Sequence, residues 1–112
     1  MTKYGNKKAT LKRDGETYSF DSRHEARVFD TLYSQLKRGE ISDLVLQPEY
    51  ELVPKQDWNG AALRAVKYIA DFRYTKNNIT YVVDAKGFRT KDYIIKMKLF
   101  VYQNKDVVFL EV

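Results

Sequence analysis

The residues most capable of chemistry lie in the stretch Ala65–Gly87, AVKYIADFRYTKNNITYVVDAKG. Val, Ile, Tyr and Phe on both sides of Asn77-Asn78 predict a two-stranded hairpin. If those asparagines form a two-residue turn, Lys76 pairs with Ile79, and counting back along the strands puts Asp71 opposite Asp84. Like charges facing each other across a ladder are destabilising. Side chains alternate along a strand, so Lys86 shares the face of Asp84, while Tyr68, Ala70, Phe72, Tyr81, Val83 and Ala85 form an apolar opposite face. Two acids and a lysine above a greasy surface are costly for structure alone. They are a natural arrangement for holding a divalent cation.

Other elements must bring further groups to this hairpin. Asp21-Ser22-Arg23-His24-Glu25 opens a helix expected to run to about Lys37, with Gly39 as its stop. Ser22 and Glu25 have capping-box spacing, in which the glutamate closes the helix start. Glu25 is also in helical phase with Phe29, Leu32, Tyr33 and Leu36, which turns its carboxylate toward the sheet. A carboxylate at the edge of a core needs a partner, and a cation over the hairpin would be one. Both readings of Glu25 stand at this point.

A second helix is expected from Lys91 to about Asn104, N-capped by Thr90 and apolar on much of its circumference, with Lys96 and Lys98 on its polar flanks. Asp14-Gly15 predicts an N-terminal β-hairpin. Leu44–Pro54 reads as a strand in which Pro48 marks an edge position or a bulge. Lys55–Gly60 reads as a loop whose Trp58 stacks on a base or covers the core, with core or rim packing preferred. Asp106–Val112 is expected as a final buried strand. The order hairpin, helix, three strands, helix, strand predicts an α/β (α+β) fold with a sheet of mixed direction flanked by the two helices.

A chain of 112 residues makes one domain. Residues 1–9 are expected to be a flexible basic arm and 10–112 the single domain. The absence of cysteine excludes disulfides and thiolate zinc sites, and a lone histidine, His24, excludes chemistry that needs a pair. No apolar run reaches the roughly 20 residues of a membrane span, and no signal-peptide core follows Met1. The expectation is a soluble cytoplasmic protein without membrane contact. The net charge is +5, and Lys3, Lys7, Lys8, Lys12 and Arg13 all precede the first acid, Asp14. That concentration suits a polyanionic partner.

Glu25 on a helix, Asp71 in a strand, then Asp84-Ala85-Lys86-Gly87 before a second helix resembles the PD-(D/E)xK nuclease superfamily, the restriction-endonuclease-like fold. The resemblance covers residues 20–112. It is closest to small phage and prophage members of uncharacterised function, some described as Holliday-junction-resolvase-like, which carry a run like Phe20-Asp21-Ser22-Arg23-His24-Glu25-Ala26 and a D-x-K-G motif followed by Thr, Tyr and Lys, here Thr90, Tyr93 and Lys96. The motif's nominal proline is replaced by Ala70. The resemblance implies a Mg²⁺- or Mn²⁺-dependent endonuclease acting on branched or structured DNA in a bacterial host cell. Asp71, Asp84 and the Ala85 carbonyl would hold the metal, with Glu25 completing the site directly or through water. Lys86 would orient the attacking water, and Lys96 and Tyr93 would contact the flanking phosphate. Lys98, Lys7, Lys8, Lys12, Arg13 and Trp58 are further candidates for DNA contact. Cutting both strands would require a homodimer. The competing expectations are a non-catalytic DNA-binding accessory protein of phage recombination or packaging, and an inactive domain in which Asp84–Lys86 and Asp71–Arg73 are surface ion pairs.

Overall fold

Asp14-Gly15, Asn59-Gly60 and Asn77-Asn78 all lie at positive φ in the computed structural model, which describes residues 8–112. Two such residues in succession make the primed turn whose twist matches paired strands. The first joins β1 (Ala9–Arg13) to β2 (Glu16–Phe20), as the Asp-Gly pair predicts. β1 thus begins at Ala9, inside the expected arm; residues 1–7 lie outside the described residues. The last joins β8 (Phe72–Lys76) to β9 (Ile79–Asp84). Lys76 lies opposite Ile79, and the expected register holds as far as Phe72 opposite Val83.

The middle turn corrects an expectation. Lys55–Gly60 is not a loop: β5 (Gln56–Trp58) pairs with β6 (Ala61–Leu63) across Asn59-Gly60. The short, polar flanks hide a hairpin that the Asn-Gly pair alone signals. This hairpin is the tip of a longer ribbon. β3 (Ser42–Leu46) pairs with β8, and β4 (Glu49–Val53) pairs with β7 (Val66–Ile69). Leu46 opposite Phe72 and Glu49 opposite Ile69 keep a single register, joined by Gln47 N–H to the Asp71 carbonyl at 2.9 Å and Ala70 N–H to the Pro48 carbonyl at 3.1 Å. The expected strand Leu44–Pro54 is therefore split where Gln47 adopts φ 52° and Pro48 offers no N–H.

β3 and β8 are joined by β9 and then β10 (Val108–Glu111) into a sheet ordered β10-β9-β8-β3. β9 and β10 run parallel, while the other neighbours are antiparallel. Helix α2 (Lys91–Gln103) makes the crossover that a parallel pair requires. The fold is mixed α+β, with two helices and ten strands among the described residues. None of those helices is long and apolar enough to cross a membrane.

Helix α1 (Arg23–Lys37) buries Ala26, Phe29 and Leu32 against Phe20, Phe72, Tyr74 and Val83. On the other side α2 buries Tyr93 and Phe100 against Leu52, Tyr68, Ala70 and Val82. The single apolar face expected of the central hairpin is thus divided between two cores. The strand leaves its regular course at Ala70-Asp71, so Tyr68 and Ala70 join the α2 core while Phe72 joins the α1 core. Two further expectations fall short. Ile95, Val101 and Tyr102 leave the apolar circumference of α2 partly in solvent, and β10 is an edge strand with exposed Val108, not a buried one.

Candidate functional site

The two strands of the β8–β9 ladder part company at the acids. β8 turns away to follow β4 as β7, and Asp71 sits at the fork. Its N–H reaches the Val83 carbonyl at 3.2 Å, its carbonyl accepts from Gln47, and its Oδ2 accepts the Ala85 N–H at 2.7 Å. Backbone bonds on every side therefore fix Asp71 beside the end of β9.

Asp84, the last residue of β9, has no exposed surface. Its Oδ2 accepts the Tyr68 hydroxyl, while Oδ1 is buried without a hydrogen bond. Lys86 Nζ approaches that same Oδ1 at 3.4 Å, an ionic contact without hydrogen-bond geometry. The pairing of Asp84 with Lys86 is thus not a surface ion pair, because the acid is wholly enclosed. A buried carboxylate oxygen with no donor is uncommon and calls for an explanation.

Glu25 is buried at the start of α1. Its N–H donates to Ser22 Oγ at 3.1 Å, the cap that the sequence predicts. Its carboxylate lies beside the Asp21 backbone and the carboxyl of Asp71. The cap uses the Glu25 backbone N–H, while its carboxylate faces the acid cluster.

Crowding and burial leave these acids reluctant to ionise. Burial pushes the Asp84 carboxyl up to about 6, aided by the charge of Asp71 and opposed by the Tyr68 hydrogen bond and by Lys86. Asp71 is raised, first by burial and then by Glu25, with the Ala85 N–H pulling the other way. Glu25 is raised mainly by burial. A cleft of about 540 Å³ opens beside Glu25 and Asp71, lined also by His24, Ala85, Lys86 and Phe88, with the buried Asp84 behind its wall. Among the described residues no three acidic, histidine or cysteine side chains already enclose a point where an ion would rest. The carboxylates of Glu25, Asp71 and Asp84 are nonetheless all hard oxygen donors, and Asp84 Oδ1 has no hydrogen bond, facing the Lys86 ammonium at 3.4 Å. That set fits Mg²⁺ or Mn²⁺.

The second helix contributes differently from expectation. Thr90 Oγ1 caps α2 by accepting the Tyr93 N–H at 3.0 Å. The Tyr93 hydroxyl points inward to Glu111 at 2.5 Å, and Glu111 also pairs with Arg89 at 3.2 Å. Tyr93 therefore does not present its hydroxyl to a phosphate; its ring lies 4.7 Å below Lys86 Nζ as a platform. Lys96 pairs with Asp92 at 3.6 Å on the preceding turn, and Lys98 is exposed farther along α2.

The remaining candidates are dispersed. Lys8 and Lys12 are exposed at the N-terminal hairpin. Arg13 is engaged with Asp30 of α1 through Nε at 2.9 Å and Nη2 at 2.7 Å, so it ties the hairpin to the helix. Lys7 lies outside the described residues. Trp58 is 62% exposed at the tip of β5, so it covers no core. Sequence reasoning missed Tyr68 and Glu111. The available signal was general: a buried tyrosine hydroxyl must find an acceptor, and the acids nearby were the candidates.

The family profile described as "Protein of unknown function (DUF1064)" matches residues 1–111, and the chain belongs to that family. No curated protein matches the chain.

Proposed function

We propose that this chain is a metal-dependent DNA endonuclease with a restriction-endonuclease-like core, phage-encoded and acting in the bacterial cytoplasm on branched or structured DNA. The observation that carries this reading is the buried Asp84 Oδ1, left without a hydrogen bond beside the raised carboxyls of Asp71 and Glu25. Lys86 and the Tyr68 hydroxyl offset only part of this crowding, and a purely structural domain gains nothing from three carboxyls set together.

In this reading Asp71 and Asp84 hold the cation with the Ala85 carbonyl, and Glu25 closes the site from α1. Bound Mg²⁺ or Mn²⁺ supplies positive charge against the scissile phosphate and makes a bound water more acidic. The Ala85 N–H and the Tyr68 hydroxyl steady the two aspartates from outside the cluster. Lys86, held over the Tyr93 ring, orients the attacking water and offsets negative charge growing on the phosphorus oxygens. Lys96 and Lys98 lie along α2 toward a flanking phosphate. A two-fold dimer would bring a second such site to the opposite strand.

The test is incubation with supercoiled plasmid and synthetic four-way junctions in Mg²⁺, Mn²⁺ or EDTA, beside Asp84→Ala and Lys86→Ala. Cleavage that needs metal and disappears in both variants is the expected result. Binding that persists in every condition with no cleavage would replace this reading with the non-catalytic accessory protein.

A further inference from the structure

The β5–β6 hairpin has no packing reason to exist. Every residue from Pro54 to Arg64 is exposed, yet the strands are paired and the turn is fixed, with Asp57 Oδ2 accepting the Gly60 N–H at 3.2 Å. A lone two-stranded hairpin is marginal in water. This one is held out by the ribbon beneath it, because Val53 opposite Val66 and Gln56 opposite Leu63 continue one register.

Its two faces differ. Trp58 pairs with Ala61 and Gln56 with Leu63, so Trp58, Ala61 and Leu63 share one side. Asp57 and Ala62 take the other, with Lys55 and Arg64 next along their strands. Trp58 is 62% exposed and Leu63 38%. The tip thus sets an open indole, opposite the small Ala61, on one side and cations behind it.

Size decides what covers this face. Strands of three residues span about 10 Å, and a pair lies about 5 Å apart. The resulting area is on the order of 100 Å², far below the roughly 800 Å² that each partner buries in a standard protein interface. It matches one or two nucleobases. Lys55 and Arg64 on the reverse face suit the phosphates of a strand that wraps the tip as one of its bases stacks on the indole. The same ribbon runs back through β7 to Asp71, so the tip stands at most about 33 Å from the acid cluster, close to one turn of duplex.

We infer that the β5–β6 hairpin is a stacking platform for unpaired bases, so the DNA this chain takes carries an unstacked or single-stranded segment within about one helical turn of the cleaved phosphate. The cleavage clause rests on the endonuclease reading; the platform does not. Bases in an intact duplex are stacked on each other and offer the indole no open face, whereas forks, flaps and junctions do.

Trp58 is the chain's one tryptophan, so its fluorescence reports the platform alone. The wild-type chain in EDTA is titrated with a single strand, a blunt duplex and a forked duplex of matched sequence. The single strand and the fork should quench Trp58, while the blunt duplex should not. Trp58→Ala should weaken fork binding by about 5- to 150-fold, the range for loss of one base stack, and Trp58→Phe should recover most of it. Lys55→Gln with Arg64→Gln should flatten the salt dependence. Equal quenching by blunt duplex, or none by any DNA, overturns the proposal even if metal-dependent plasmid cleavage is intact. Trp58 emission that shifts with protein concentration alone also overturns it, because the tip would then be a contact between copies. Quenching by the fork with no cleavage in Mg²⁺ or Mn²⁺ removes the endonuclease reading and supports the platform.

Discussion

Tyr68 gives its hydroxyl hydrogen to one oxygen of Asp84, and the other oxygen of that buried carboxylate has no hydrogen bond. That hydroxyl is the strongest influence holding the acid's pKa down against burial. Tyr68→Phe should therefore destabilise the protein by about 1–3 kcal/mol, the usual cost of stranding a buried polar group. The urea midpoint measures this. The acid limb of the pH–rate profile should also move to higher pH. A variant unchanged in both would mean that the hydroxyl does not support Asp84.

The raised acids give the metal-free protein an inverted pH dependence. Burial holds the Asp84 carboxyl up at about 6 in the folded protein, against an ordinary aspartate value of 3.8. Between those values the native state binds more protons than the unfolded chain, so stability falls as pH rises. The loss for Asp84 is no more than about 3 kcal/mol, less whatever solvent in the cleft screens. Asp71 and Glu25 shift in the same direction. Thermal melts in EDTA should show a lower Tm at pH 7.5 than at pH 5, and Mn²⁺ should restore the difference only at the higher pH. Equal metal stabilisation at both pH values would place the ion elsewhere.

Removing the charge should separate stability from activity. Asp84→Asn keeps an oxygen for the Tyr68 hydroxyl and ends the repulsion with Asp71. In EDTA at pH 7.5 it should melt several degrees above wild type, since about 1 kcal/mol corresponds to roughly 4–8 °C in a domain of this size. It should lose cleavage and the Mn²⁺-induced shift together. A variant less stable than wild type under these conditions would show that the ionised acid is tolerated without cost.

What could be read from the chain follows from how local each signal is. Asn77-Asn78 fixes the register of β8 and β9, because a two-residue turn leaves the pairing no freedom. Ser22 and Thr90 cap their helices as their types predict. The exchange of faces at Ala70-Asp71 was not legible, since it depends on Gln47 and Pro48 from a distant strand. Alternation therefore placed Tyr68 beside Phe72, when it lies under Asp84 in the other core. The acid cluster was legible as a set of residues. The inward turn of Tyr93 was not, because its acceptor Glu111 arrives from β10.

Two variants at Tyr93 distinguish its ring from its hydroxyl. Phe keeps the surface under Lys86 and loses only the bond to Glu111, whereas Leu loses both. A cation over an aromatic face is worth about 0.5–2 kcal/mol, so Tyr93→Leu should lower kcat by about 2- to 30-fold more than Tyr93→Phe. Equal losses in the two variants would assign Tyr93's contribution to its hydroxyl and to Glu111.

Glu25 offers the sharpest separation of scaffold from chemistry. The cap at this helix start uses the backbone N–H of residue 25, so Glu25→Gln preserves it while removing the charge. Because burial and neighbouring acids raise the Glu25 carboxyl, losing that charge should leave Tm in EDTA at pH 7.5 unchanged or slightly higher. Mn²⁺ affinity measured by calorimetry should drop about tenfold or more, in the range for removing a supporting ligand at a metal site. The opposite pattern, wild-type Mn²⁺ binding and cleavage with a lower Tm, would leave the cap as the whole role of Glu25. The cation would then be held from the sheet alone, by Asp71 and Asp84.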